Sequence, residues 1–397
     1  TRGEKSGENS PDGAIPEYEG QYDVYGMKLY SIGLDGSVQT LEGYQPMEVD
    51  ENGSTYTNGM VVTPEGKMVS MEILYRNWYD GPDDVELYSE EWYQKQYYNY
   101  MHYEQSYFLR FLAADGSEEK RLDMSDVLTQ ALGENWHDSY YPQNFVLDDQ
   151  GRVYINANQA IIALDAEGGF RQVLEFSNWM ESIVRLNDGR IGVLYYGDTG
   201  EQLTILNTET VALDEEQSYP MGNVYNITVG GGDYDFYYTN GSNFMGYKLA
   251  TGKAEKVLNW INADVDPSNV NRAFVTEDGQ IVSLSSEWDE KTGESTSSVV
   301  LVTKVPASSL PNKTVVTLAT MYMNWELRRM IVKYNRNSPD VRIEISDYSE
   351  YNTEEDYEAG LTKLNTEIMA GNVPDILNLN GLSAGKLAAR GILADLM

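Results

Sequence analysis

Two histidines, His102 and His137, are all that this sequence offers for imidazole chemistry. A serine nucleophile would need one of them as its base. His102 lies in a tyrosine-rich stretch and His137 in NWHDSYYP, and neither adjoins a G-x-S-x-G turn. Both read as polar residues of exposed segments. Carboxylates are abundant, 63 Asp+Glu against 28 Lys+Arg. A suitable pair could hydrolyse a glycosidic bond, but so many acids do not single out a pair. There is no cysteine, which excludes thiolate zinc sites, iron–sulfur clusters, thiol nucleophiles and disulfides. The glycines at 230–232 precede neither a helix nor a Lys-Ser/Thr pair, so they form no phosphate loop. Asp148, Asp149, Asp264 and Asp266 carry oxygen donors suited to calcium, yet no D-x-D-x-D-G loop completes the set. Solvated turns are the simpler reading. No cofactor, metal site or catalytic residue is expected.

The formal charge of −35 argues against nucleic acid and against adsorption to anionic lipid, since both need a basic surface. It favours solubility and attracts cations or basic partners. With 41% hydrophobic residues, 31 Tyr and 7 Trp, the chain can still bury sizeable cores, unlike a disordered acidic protein. No apolar stretch reaches the length of a membrane helix. Residues 1–20 are polar, lack a signal-peptide core and read as a flexible leader.

The elements that must position any site fall into two patterns. From about residue 21 to 305, short apolar runs alternate with Asp-Gly, Glu-Gly and related turns. Stacking the segments shows a repeat: MVVTPEGKMVSM from Met60, FVLDDQGRVYIN from Phe145, IVRLNDGRIGVL from Ile183, ITVGGGDYDFYY from Ile227 and AFVTEDGQIVSL from Ala273. Most copies continue into a third strand and a further turn. Gly151 to Gly189 is 38 residues and Gly189 to Gly232 is 43. Four antiparallel strands per roughly 40 residues predict a β-propeller blade. Five blades are expected, with six as the alternative if the N-terminal strands make a degenerate one. The strands in MKLYSIGLDGSVQTLEG are expected to complete the last blade and remove its open edge. DMSDVLTQALG predicts one short helix. A stretch at 75–107, rich in Tyr, Trp and acids, predicts an extended hairpin packed on the propeller, with sugar stacking as the other reading. The Ser-x-Asp-x-Gly-x-x-Trp boxes of sialidase-like propellers are missing.

Residues 306–313, rich in Pro and Ser, read as a linker. From 314 to 397 the pattern turns to strand–helix alternation, which predicts parallel α/β winding. TVVTLAT, VRIEIS and PDILNL are the strands. Trp325, Leu327, Met330, Ile331 and Tyr334 mark one helical face, and Tyr357, Leu361, Leu364 and Ile368 another. The fold class is thus mainly β: a propeller followed by an α/β lobe.

The motifs VTLATMYM, KYNRNSPDVRIEI, GLTKLNTEIMAGNVPDILNL and LAARGILADL make residues 315–397 resemble the start of the first lobe of an extracellular solute-binding protein of ABC importers, a group with many sugar binders. The resemblance implies a carbohydrate solute, an ABC permease as partner, an extracellular location with a lipoprotein tether in the parent protein, and no enzymatic activity of this unit. The alternative is a propeller-type glycan hydrolase with a degenerate C-terminal appendage. The resemblance also implies a ligand held by loops at the C-terminal strand ends, where α/β sheets generally bind. In this sequence those loops hold Tyr322, Asn324 and Trp325, then Asp347 and Tyr348 with Tyr351, then Asn378 and Asn380. Trp325 and Tyr348 fit sugar stacking or core packing alike. An open half-site at 321–325 and 378–381 is expected to hold no sugar tightly.

Overall fold

Aspartate side chains bend this chain at turn after turn. Asp148 Oδ1 accepts from the Gln150 and Arg152 N–H groups at 2.9 and 3.0 Å. Asp165 does the same for Glu167 and Gly169 at 2.9 and 2.8 Å. Such local acceptors replace backbone partners in a tight turn. Gly151 completes the first of these turns at φ 75°, a conformation that costs glycine little. The computed structural model describes residues 28–394, except 51, 64, 83–88, 199, 290–291 and 354–355. The expected leader at 1–20 lies outside the described residues.

A two-stranded hairpin, β1 (Tyr30–Ile32) and β2 (Val38–Thr40), comes first. Five antiparallel blades follow, the β-propeller arrangement expected. Blade 1 is β3 (Gly53–Val62), β4 (Met68–Tyr79), β5 (Met101–Leu112) and β6 (Glu118–Asp123). Between β4 and β5 lies α1 (Glu90–Gln94), and after β6 comes α2 (Ser125–Leu132), the short helix foreseen. Blade 2 is β7 (Asn144–Leu147), β8 (Val153–Asn156), β9 (Ala160–Leu164) and β10 (Phe170–Glu175). Blade 3 is β11 (Met180–Arg185), β12 (Ile191–Gly197), β13 (Gly200–Asn207) and β14 (Ala212–Pro220). Blade 4 is β15 (Tyr225–Gly231), β16 (Tyr234–Asn240), β17 (Asn243–Lys248) and β18 (Lys253–Asn259). Blade 5 has three strands, β19 (Val270–Val275), β20 (Ile281–Asp289) and β21 (Glu294–Val302).

Blade middles are apolar on both faces because each blade packs against two neighbours. Ile162 and Leu164 of β9 join the core toward blade 1, while Ile161 and Ala163 join the core toward blade 3. Phe236, Tyr238 and Tyr247 of blade 4 meet Leu194, Leu203 and Ile205 of blade 3. Tyr237, Phe244 and Trp260 meet Val270, Ala273 and Ile281 of blade 5.

The N-terminal strands do not complete blade 5. Among the described residues they pair only with each other. The chain after them packs on the face of blade 1 that is turned away from blade 2: Tyr44 clusters with Met68 and Leu112, together with Leu29, Leu41 and Met60. A buried ion pair fixes this contact. Arg110 Nη1 donates to both Glu72 oxygens at 3.0 and 2.9 Å, Nη2 to the Gln45 carbonyl at 2.7 Å and Nε to Glu118 at 2.5 Å. The Tyr44 hydroxyl donates to Glu72 at 3.1 Å, and its ring lies 5.0 Å from the guanidinium. Burial and the Glu72 charge push Tyr44 up to about 12.

After the linker, β22 (Thr314–Thr320) is the centre of a parallel sheet between β23 (Val341–Asp347) and β24 (Ile376–Leu377). Its helices are α3 (Trp325–Asn337), α4 (Ala359–Met369) and α5 (Ala384–Ala389). Helix α4 starts at Ala359, so Leu361, Leu364 and Ile368 of the expected stripe lie on it and Tyr357 precedes it. This α/β unit rests on blade 4. Ile261, just past β18, packs with Leu318, Ile331 and Val332. Arg342 Nη1 pairs with Asp264 at 2.9 Å, and Arg336 Nε donates to the Asp264 carbonyl at 2.8 Å. Asp264 thus serves docking, and Asp266 caps Ser268 at 3.0 Å.

Candidate functional site

The parallel strands aim their C-terminal ends at two places. One is a groove of about 420 Å³ where the end of β23 and helix α4 meet the outer strand of blade 4. Blade 4 contributes Lys256, Asn259 and Asn262; the α/β unit contributes Asp347, Tyr348, Glu350, Tyr351, Lys363 and Glu367. The other is the pair of loops after β22 and β24, which holds Tyr322, Asn324, Trp325, Asn378 and Asn380.

A polar relay spans the groove. Asn259 Nδ2 donates to Asn243 Oδ1 at 2.9 Å, and Asn243 Nδ2 donates to Glu350 Oε1 at 2.6 Å. Lys256 Nζ donates to Glu350 Oε2 at 3.0 Å. These bonds cross from propeller to α/β unit and orient the Glu350 carboxylate. On the opposite wall, Lys363 Nζ sits 3.9 Å from the Tyr351 ring centroid and 3.7 Å from Glu367. Tyr351 remains half-exposed in spite of that contact. The lining therefore presents carboxylates, ammonium groups and amides around one accessible aromatic face. Such a set suits hydroxyl-rich ligands, which need both donors and acceptors beside a stacking surface.

Of the residues singled out in the sequence, Asp347, Tyr348 and Tyr351 line this groove, but the polar atoms of the first two have other duties. Asp347 Oδ1 caps the following turn, accepting from Ser349 N and Oγ at 3.0 and 2.6 Å. Tyr348 is buried beside Ala319, Leu364 and Ile368 and donates its hydroxyl to Glu367. Burial and that carboxylate push it up to about 12, which rules it out as a phenolate nucleophile near neutral pH. Of the two roles open to Tyr348, core packing is the one found.

The second group is brought together but largely self-satisfied. Asn324 caps α3 by accepting from Leu327 N at 2.8 Å. Asn378 Nδ2 donates to Thr320 Oγ1 and the Tyr322 carbonyl at 3.0 and 3.1 Å, and its Oδ1 accepts from Asn380 N at 3.2 Å. Tyr322 and Trp325 are more than half exposed. Trp325 carries the Arg329 guanidinium 6.0 Å from its ring centroid. No blade covers these side chains in the way that blade 4 covers Tyr351.

Lys256, Asn259, Asn262, Glu350, Lys363 and Glu367 were not legible as site residues. KAEKVLNWI reads as an ordinary outer blade strand, and nothing in it signals that an α/β unit faces it.

No family model and no curated protein matches the chain. Solved structures similar to it are propellers. Oligogalacturonate lyase from Vibrio parahaemolyticus is 14% identical over 71% of this chain and 73% of its own, with a TM-score of 0.39. The Malassezia sympodialis allergen Mala s 1 is 10% identical over 63% and 78%, at 0.37. The Pan2 WD40 domain of Neurospora crassa is 10% identical over 64% and 70%, at 0.32.

These findings correct two expectations. The importer-type solute-binding reading is overturned: no family model or curated protein matches it, and most of the described chain is propeller. The ABC-transporter and lipoprotein terms have no support either. The expectation of no enzymatic activity is withdrawn as well, since no finding supports it.

Proposed function

We propose that this chain is a glycan-acting propeller protein that holds a short neutral saccharide in the groove between blade 4 and the α/β unit. The carrying observation is the half-exposed Tyr351 ring beside the oriented Glu350 carboxylate in a space of about 420 Å³. Pockets for small ligands typically span about 300–1,000 Å³. The net charge of −35 disfavours a polyanionic sugar, so a neutral one is preferred. In this reading Tyr351 stacks on the sugar face, Glu350 and Glu367 accept from hydroxyls, and Lys256 and Asn262 donate.

Glycan hydrolysis is a second reading, favoured by the two carboxylates, Glu350 and Glu367, that line one groove. Hydrolysis needs one such group as acid and the other as nucleophile or base. One experiment separates the readings. Titration calorimetry against a panel of neutral oligosaccharides should give binding that is lost in Tyr351→Ala and Glu350→Gln. A parallel reducing-end assay reports cleavage. Heat without new reducing ends supports binding alone, whereas cleavage abolished by either Glu350→Gln or Glu367→Gln supports hydrolysis. No heat and no cleavage across the panel overturns both.

A further inference from the structure

The hairpin of β4 and β5 outgrows its blade. The two strands stay paired from Met68 with Leu112 out to Tyr79 with Met101. Strand β6 accompanies β5 only as far as Phe108, and β3 accompanies β4 only to Arg76. The outermost rungs therefore project without strand neighbours, capped by α1 and a 3-10 turn at Tyr97–Tyr100.

This tip is ordered around one buried ring. Trp92 is 3% exposed, with Tyr93 and Tyr98 set edge-on at 4.8 and 6.0 Å. The Asp80 N–H donates to the Tyr100 carbonyl at 3.1 Å, tying the strand end to the turn. Around this anchor the aromatic residues face water: Trp78 is 38% exposed, Tyr93 55%, Tyr98 44%, Tyr100 45% and Tyr103 60%. Among the described residues of this hairpin, Tyr107 packs into the core toward blade 2, whereas Trp92 is buried within the tip itself. Exposed aromatic clusters of this kind mark interaction surfaces, because Tyr and Trp give large contact area at low entropic cost.

The ring geometry and the charge select the occupant. Tyr75 and Tyr103 are tilted by 36°, Tyr97 and Tyr100 by 57°, and Tyr79 and Tyr100 by 78°. Rings so inclined offer no flat platform for a run of sugars. Residues 75–107 hold seven acids against two bases among eleven aromatic residues. Asp80 and Glu104, both exposed, flank these rings: Asp80 follows Tyr79 and lies 2.9 Å from His102, the cross-strand partner of Trp78, while Glu104 follows Tyr103 and faces Arg76 at 4.0 Å. Trp78 is held flat against His102 at 5.2 Å and 17°, which fixes the ring for stacking. A guanidinium meets both demands at once, stacking on Trp or Tyr faces and forking onto a carboxylate, which an ammonium does poorly.

We propose that this tip is a docking surface for an arginine-rich segment of a partner protein. The test uses a fluorescein-labelled oligo-arginine peptide, its oligo-lysine counterpart and a neutral oligosaccharide panel, read by anisotropy or competition at physiological salt. The full chain should bind oligo-arginine more tightly than oligo-lysine. A variant with Trp78, Tyr93, Tyr98 and Tyr103 changed to Ser keeps the net charge, and it should lose about tenfold or more in oligo-arginine affinity. Asp80→Asn with Glu104→Gln should weaken binding with every ring in place, which keeps the test decisive if the serine variant misfolds. Equal binding of both peptides, unchanged in the serine variant, would mean general attraction to an acidic protein and overturn the proposal. So would absence of binding. Saccharide binding lost in the serine variant, with no preference for arginine, would overturn it in favour of a sugar platform.

Discussion

Arg110 and Glu72 are each about 1% exposed, and burying an ion pair is favourable only while both partners are present. Arg110→Met leaves a buried carboxylate without its counter-charge, and a loss of about 3–5 kcal/mol is expected. Changing Glu72 to Leu as well should recover much of that loss, since apolar residues of similar volume often replace such pairs well. Urea midpoints of the two variants check this, and equal destabilisation would contradict it. Tyr44 adds a pH dependence. Its folded pKa of about 12 lies above the ordinary value of 10, so folding favours the protonated phenol. That stabilisation is complete below pH 10 and is lost as pH rises toward 12. Tyr44→Phe should therefore flatten the decline of stability across that window in alkaline denaturation. Asp148 works in the opposite direction. Burial opposes its charge, but the Arg152 side chain and backbone donors outweigh that and hold it below the usual range. Its contribution is present above the ordinary carboxylate pKa and disappears as pH falls through the folded value.

At the scale of elements, the repeated hairpins could be read because each turn needs a particular chemistry. An Asp or Thr side chain accepts the returning N–H groups and a glycine takes positive φ, as at Gly151, Gly189 and Gly279. Replacing Asp165, which bonds Glu167 and Gly169, with Ala should cost about 1 kcal/mol in thermal denaturation without shifting the register of β9 and β10. The α/β winding was legible for a related reason. Leu364 and Ile368 follow a helical stripe, Gly371 takes φ 92° after α4, and Ile376 pairs with Leu318 in the next strand. That same series underlay the solute-binding resemblance. Helix, cap, turn and strand specify a way of winding, which many activities can share. What the sequence hid was adjacency. The hairpin of β1 and β2 has strand character but carries no mark of the blade it will lie beside. Lys256 and Asn259 sit in an outer strand whose pattern is that of any solvated edge, so the groove they line became visible only once the α/β unit was in place.

The whole molecule joins a row of blades to an α/β unit docked on blade 4 through Ile261 and polar bonds to Asp264 and Glu350. Residues 308–312 are exposed, so limited proteolysis should cut between 306 and 313 and leave the blades resistant. The released unit should still co-elute with the propeller, held by Ile261 and the Arg342–Asp264 pair. Arg342→Ala should separate them on size exclusion. The blades themselves are linked in series. Four hydrophobic cores join blades 1 to 5 one after the next, and among the described residues none of the clusters joins blade 5 to blade 1. A molecule connected in this way behaves as a line with two ends, its stability close to a sum of nearest-neighbour couplings. The two ends are unequal. Blade 1 is clamped by Tyr44 and the Arg110 network, while Phe274, Leu284, Val299 and Leu301 of blade 5 face water and, among the described residues, β21 has no fourth strand beside it. Opening should therefore run in one direction, from the C-terminal blade inward. In native-state hydrogen exchange, amides of β20 should exchange well before those of β8 and β12, and uniform protection across the blades would show that the line is closed after all.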